Sequence, residues 1–196
     1  MAAEPATSAP PARTNQMETS LPLHRIDVDT YYRIAETGIL DDLRVELLEG
    51  LIIDMSPPSP EHSAIIARLT QHLASASRGH VRVQLPLEVP PRNVPQPDLA
   101  LIAGPISTKH HPHTALLAIE VAVSSHMTDR NLKARYYARA EIPTYWIVDV
   151  PGRAVEVRTV PGADGYGKCE IYHDGDIVPS PVAGVDELDV SALLAD

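Results

Sequence analysis

The chain has 196 residues, a formal net charge of −10, and is 44% hydrophobic with seven Tyr, one Trp and no Phe. It is long enough for one domain with an aliphatic core and an extension. A lone cysteine, Cys169, excludes an intrachain disulfide and fits a reducing compartment. No apolar run approaches the roughly 20 residues of a membrane helix, and the N-terminus lacks a signal-peptide core, so a cytoplasmic location is expected. The acidic balance argues against strong non-specific binding to nucleic acid. It does not exclude a nuclease, because a carboxylate cluster can bring in positive charge as a metal ion.

Residues 1–20 are rich in Pro, Ala, Ser and Thr, and read as a disordered tail before a domain at 21–196. Asp27 or Asp29 can cap a short helix through "DTYYRIAETG", ended by Gly38. "RVELLEGLIIDMS" alternates on both sides of Glu49-Gly50, which predicts a hairpin or a helix end entering a strand. After "SPPSP", Ser59 can cap a helix with Pro60 at its first position, and Ile65, Ile66, Leu69 and Leu73 recur at helical spacing up to about Ser77.

"HVRVQLPLEV" reads as a strand and "DLALI" as a short apolar one. Pro95 and Pro97 restrict their segment to an edge or a strand start. "GPISTKHHPH" is a loop and "TALLAIEVAVS" a buried strand. Thr128 or Asp129 opens a helix through Ala140, closed by Pro143. "TYWIVDV" and "AVEVRTV" are strands about a Pro-Gly turn, "GKCEIYHDGD" has hairpin chemistry, and "LDVSALLAD" suits a short helix. The order predicts an α/β or α+β domain with a mixed central sheet. The strand–helix–strand unit from "LLAIEV" to "TYWIVDV" should pair its strands in parallel.

Three carboxylates have apolar neighbours: Glu46 in "VELLEG", Asp98 opening "DLALI", and Glu120 in "AIEVAV". An ionised carboxylate buried alone is costly, so Glu120 must sit at a strand end, be paired, or hold a metal. If the strands of Asp98 and Glu120 are neighbours, the two carboxylates converge and repel unless a cation intervenes. Oxygen ligands of this kind suit Mg²⁺, which can activate water for phosphodiester cleavage. Taken singly, each could instead pair with an arginine or cap a helix.

Glu46, Pro97-Asp98 and Glu120-Val121 together resemble the PD-(D/E)xK superfamily, whose fold is that of the restriction endonucleases. More narrowly, "VELLEGLIIDMSPPSPEHSAIIARL", "VPQPDLALI" and "AIEVAVSSHMTDRNLKARYYARAEIPTYWIVDV" resemble the Uma family of proposed restriction endonucleases, a domain of unknown function. The resemblance spans about residues 22–160. It implies a restriction-endonuclease-like core and an Mg²⁺-dependent (or Mn²⁺-dependent) endodeoxyribonuclease that leaves a 5′-phosphate, with DNA as partner and two subunits. Asp98 and Glu120 would ligate the metal, with Glu46 beside it and the Val121 carbonyl as a further ligand.

The simplest form of the motif has a lysine two residues after the glutamate, where this chain has Ala122. The resemblance offers Lys133 on the following helix as the displaced lysine. Helical side chains lean toward the N-terminus, so it can reach back to the strand of Glu120. Its simpler role is an exposed pair with Asp129, which otherwise caps the helix.

His110, His111 and His113 could bind a metal, although a polar loop suits a solvated segment better. His62 either approaches the acidic group from its helix start or is an ordinary surface residue. Tyr136, Tyr137, Tyr145 and Trp146 read as core or a dimer contact rather than as base-stacking groups. The basic residues Arg44, Arg68, Arg130, Lys133 and Arg135 make a modest set, so a second subunit would have to help hold a duplex. Two other classes remain open: a catalytically silent binding or regulatory module, and a structural homodimer.

Overall fold

The computed structural model describes residues 22–74, 79–123 and 127–195, with side chains left out at 127–130. The tail expected at 1–20 lies outside the described residues. A short helix α1 (Val28–Ala35) precedes a hairpin of β1 (Val45–Leu48) and β2 (Leu51–Asp54). Helix α2 (Pro60–Ala74) follows, then β3 (His80–Val83), β4 (Leu99–Ile102), β5 (Leu117–Ala122), α3 (Met127–Arg139), β6 (Thr144–Asp149), β7 (Ala154–Gly162) and β8 (Gly165–His173). The chain closes with β9 (Ile177–Val178), β10 (Leu188–Asp189) and α4 (Val190–Leu193).

Strands β3 to β8 form a six-stranded sheet in chain order. All neighbours are antiparallel except β5 and β6, which run parallel across α3 as the crossover reading expects.

Strict alternation on the central strands assigns each residue to one face. Leu99, Leu101, Leu117, Ile119, Trp146 and Val148 pack on one side against Ile65, Ile66, Leu69 and Leu73 of α2. Ala100, Ile102, Ala118, Tyr145 and Ile147 pack on the other against Ala134 and Tyr137 of α3. Each large aliphatic group fully buried this way contributes about 1.5–3 kcal/mol.

Local chemistry sets the ends of these elements. Asp27 caps α1, its side chain accepting from the Thr30 N–H. Ser59 Oγ accepts from the His62 N–H, so α2 starts where its serine and Pro60 predict. The hairpin reading of "VELLEGLIID" is the one that forms, and Glu49 and Gly50 both take positive φ, 51° and 77°. A Cβ on Gly50 would lie 2.7 Å from the Ile26 carbonyl oxygen, so the turn needs glycine twice over.

Two expectations need correction. "HVRVQLPLEV" is a strand only to Val83, because Gln84 turns left-handed (φ 49°) and Pro86 has no N–H to continue a ladder. "GKCEIYHDGD" is not a hairpin of its own: Gly165–His173 pairs with β7, and the strand after Asp174-Gly175 pairs with β10. No helix among the described residues is long and apolar enough to cross a membrane.

Candidate active site

The pairing of β4 with β5 matches Leu99 to Ile119. One more step along that register sets Asp98 opposite Glu120, where facing residues share a side of the sheet. Both lie on the α3 face, beside Ala100, Ala118 and Ala122, whose small side chains leave room for carboxylates. Asp98 is further fixed by its own Oδ2, which accepts from the Val121 N–H at 2.8 Å.

Glu46 arrives from the separate hairpin. Leu47 bridges to Val94, whose N–H donates to the Leu47 carbonyl at 2.7 Å, tying β1 to the segment that leads into Asp98. The Gln96 N–H then donates to Glu46 Oε2 at 3.1 Å, and the Gln96 side chain donates to the Val45 carbonyl at 2.9 Å.

Lys133 is buried, with its Nζ 3.2 Å from Glu46 Oε1 and 3.3 Å from Glu120 Oε1. Its place as the seventh residue of α3, within the first two turns, lets it reach back to β5, as the displaced-lysine reading requires. The exposed pairing with Asp129 is therefore not its whole environment; the Asp129 side chain is outside the described set. Tyr137, one helical turn on, donates its hydroxyl to Glu120 Oε1 at 2.6 Å. On the far side of the cleft, His62 Nε2 lies 3.1 Å from Asp98 Oδ2, so His62 does approach from its helix start.

Glu46, His62, Asp98, Glu120 and Lys133 line a cleft of about 260 Å³ that also includes Arg44, Asp54, Ser59, Gln84 and Tyr145. The electrostatics are strained even with the Lys133 ammonium among the carboxylates. Burial pushes the Glu120 carboxyl up to about 8; Lys133 and the Tyr137 hydroxyl pull it down, while Asp98 and Glu46 push it further up. Burial, then the neighbouring Glu120, holds the Tyr137 hydroxyl well above its usual range.

Among the described residues, no three His, Cys, Asp or Glu side chains form a ready metal shell. The donor set nonetheless fits a hard cation with water completing its coordination. Glu120 Oε2 has no hydrogen-bond partner among the described residues, and Asp98 Oδ1 has only Gln84 Nε2 at 3.5 Å. Glu46 differs, since Lys133 and the Gln96 N–H engage both of its oxygens.

The other sequence candidates fall elsewhere. His111 stacks on Tyr32 and meets Arg82, while His113 lies 3.7 Å from Glu88, so the three loop histidines do not gather on one point. Arg68 donates to the carbonyls of Leu193 and Ala195 and clasps the C-terminal segment rather than the cleft. Arg135 is exposed, and the side chain of Arg130 is outside the described set. Tyr136, Tyr137, Tyr145 and Trp146 are all buried as expected. The polar role of Tyr137 was missed; its i,i+4 spacing from Lys133 is the signal that marks it.

A family model described as "Putative restriction endonuclease", Uma2, matches residues 28–191. Among the curated proteins no relative matches the chain. Among solved structures, a "putative nuclease belonging to DUF820" from Anabaena variabilis is similar, with a TM-score of 0.65 and 17% identity over 77% of this chain and 89% of the other. At that identity the likeness establishes a shared fold.

Proposed function

The chain belongs to the Uma2 family, and on that premise we propose that it is a divalent-cation-dependent endonuclease that hydrolyses phosphodiester bonds of DNA. The observation that carries the reading is the meeting of Asp98, Glu120 and Lys133 in one cleft, with the lysine 3.3 Å from Glu120 although Ala122 stands at the usual lysine position.

In this reading Asp98 and Glu120 hold Mg²⁺ or Mn²⁺, with the Val121 carbonyl a further ligand. When bound, the cation would polarise a phosphoryl oxygen and lower the pKa of water. Lys133 orients the attacking water and offsets charge that develops on the phosphate. Glu46 holds Lys133 rather than the cation, because both its oxygens are already engaged. Tyr137 fixes the rotamer of Glu120, and His62 and the Val121 N–H fix Asp98. Cleavage leaves a 5′-phosphate. The few basic groups at the cleft, Arg44 and Lys133, are the reason for proposing a homodimer to grip a duplex.

Incubating the protein with supercoiled plasmid and Mg²⁺ or Mn²⁺ tests the proposal. Nicking by the wild type and none by Glu120→Ala is expected; no cleavage of DNA, or equal cleavage by the variant, contradicts it. A catalytically silent binding module is the second reading, favoured by the excess of carboxylates over cations in the cleft. It predicts an intact fold that binds neither Mg²⁺ nor Mn²⁺ in a calorimetric titration.

A further inference from the structure

Three tyrosines lie side by side under the cleft. The ring of Tyr145 is 5.0 Å from that of Tyr137 and 5.9 Å from that of Tyr166, centroid to centroid. The outer two hydroxyls have protein partners: Tyr137 donates to Glu120 Oε1 at 2.6 Å, and Tyr166 donates to the Ile142 carbonyl at 2.9 Å. The middle one does not. Tyr145 is fully buried, and its hydroxyl has no hydrogen-bond partner among the described residues.

An unpartnered buried hydroxyl is destabilising relative to a hydrogen-bonded one. A phenylalanine would fill the same space and make the same ring contacts without that penalty. The Trp146 indole N–H is also unpartnered among the described residues, and the Tyr32 and Tyr136 hydroxyls face Glu88 and Glu49, but none of these three residues lines the cleft. Tyr145 does, together with Glu120 and Lys133; so does His62, whose Nδ1 is likewise without a partner among the described residues, but its other ring nitrogen already holds Asp98. It sits on β6 on the same sheet face as Glu120, since Ala118, two residues before Glu120, is its direct partner.

We infer that Tyr145 is a positioning residue whose hydroxyl donates a hydrogen bond to an ordered water in the hydration shell of the cation held by Asp98 and Glu120. The inference rests on the metal reading above and adds to it a group that composition alone assigns to the core. A donor fixed by two flanking rings orients that water at little entropic cost. Partners of this outer kind are typically worth about 10–100-fold in metal affinity.

Calorimetric titration of Mn²⁺ into the full-length protein tests it, with Tyr145→Phe and Tyr136→Phe compared to the wild type and each melted without divalent ions. The wild type should bind Mn²⁺, Tyr145→Phe about 10–100-fold more weakly, and Tyr136→Phe as the wild type does. Tyr145→Phe should melt no lower than the wild type, because the group removed has no partner among the described residues. Equal Mn²⁺ affinity in Tyr145→Phe and wild type overturns the inference and leaves the metal reading standing. A lowered melting temperature for Tyr145→Phe overturns it too, by showing that the hydroxyl already has a structural partner. Absence of Mn²⁺ binding by the wild type overturns both.

Discussion

On the α2 face of the sheet, Leu99, Leu117, Ile119 and Trp146 meet Ile65, Leu69 and Leu73 in a continuous aliphatic layer. On the α3 face, the alternate residues of the same strands are Ala100, Ala118, Glu120 and Tyr145, and the helix above them contributes Lys133 and Tyr137. One face fills its volume with branched side chains. The other gives up volume to alanines and uses it for charge. The same three strands, β4, β5 and β6, therefore provide both a rigid floor and a polar cleft, and the rigidity of the first keeps the carboxylates of the second near one another despite their repulsion. Substitutions on the aliphatic face should cost stability and leave the chemistry intact, whereas those on the polar face should cost the chemistry whatever they do to stability.

Lys133→Met attacks the polar face at its counter-charge and carries the largest expected effect. It strands Glu46 and Glu120, and breaking a buried ionic cluster in this way costs about 3–5 kcal/mol. Urea unfolding near pH 8 measures it, and plasmid nicking should fall with it by about 10²-fold or more. Glu120→Gln is the contrasting change. It removes a carboxylate that burial already disfavours, so nicking should disappear while the urea midpoint holds or rises.

Leu69→Ala attacks the aliphatic face. Leu69 is fully buried, and truncation should cost about 2–5 kcal/mol in unfolding free energy. Mn²⁺ affinity, measured by calorimetry on the folded fraction, should stay close to that of the wild type. A matching loss of affinity would mean that the two faces are not separable.

The pH dependence sharpens the comparison further. Glu120 titrates near 8 in the folded, metal-free protein against an ordinary value of 4.5. Between these values the folded state binds more protons than the unfolded chain, so stability falls as pH rises. Its contribution is complete below about pH 4.5 and lost as pH passes through about 8. Melting curves at pH 5.5 and 8.5 should show this decline without divalent ions. Saturating Mn²⁺ should reduce it, since a bound cation favours the ionised carboxylate and adds its own binding free energy to the folded state.

The smallest effect is expected far from both features. Arg68→Ala frees the C-terminal segment from α2 and should cost about 1 kcal/mol without changing nicking.

Much of this arrangement is legible in the sequence because it depends on local periodicity. Ile65, Ile66, Leu69 and Leu73 announce α2, and the length from Leu117 to Asp149 announces the parallel crossover. The unusual carboxylates stand out against apolar neighbours, and the family resemblance offers Lys133 in place of the lysine absent at Ala122. What is not legible depends on register and on contacts between distant segments. Nothing local says that Gln96 will tie Glu46 down, that His62 will reach Asp98, or that β8 will pair with β7 instead of folding on its own turn. The tyrosines mislead for another reason: a buried aromatic ring and a functional hydroxyl give the same sequence signal, and only the partners of the oxygen separate Tyr137 from Tyr136.

The most direct test of the account is diffraction from crystals soaked in Mn²⁺, with anomalous maps calculated at the manganese edge. The account predicts a peak held between the Asp98 and Glu120 carboxylates in the wild type and its loss in Glu120→Gln. A cleft with no peak at millimolar Mn²⁺, or an ion bound only elsewhere on the surface, would contradict it.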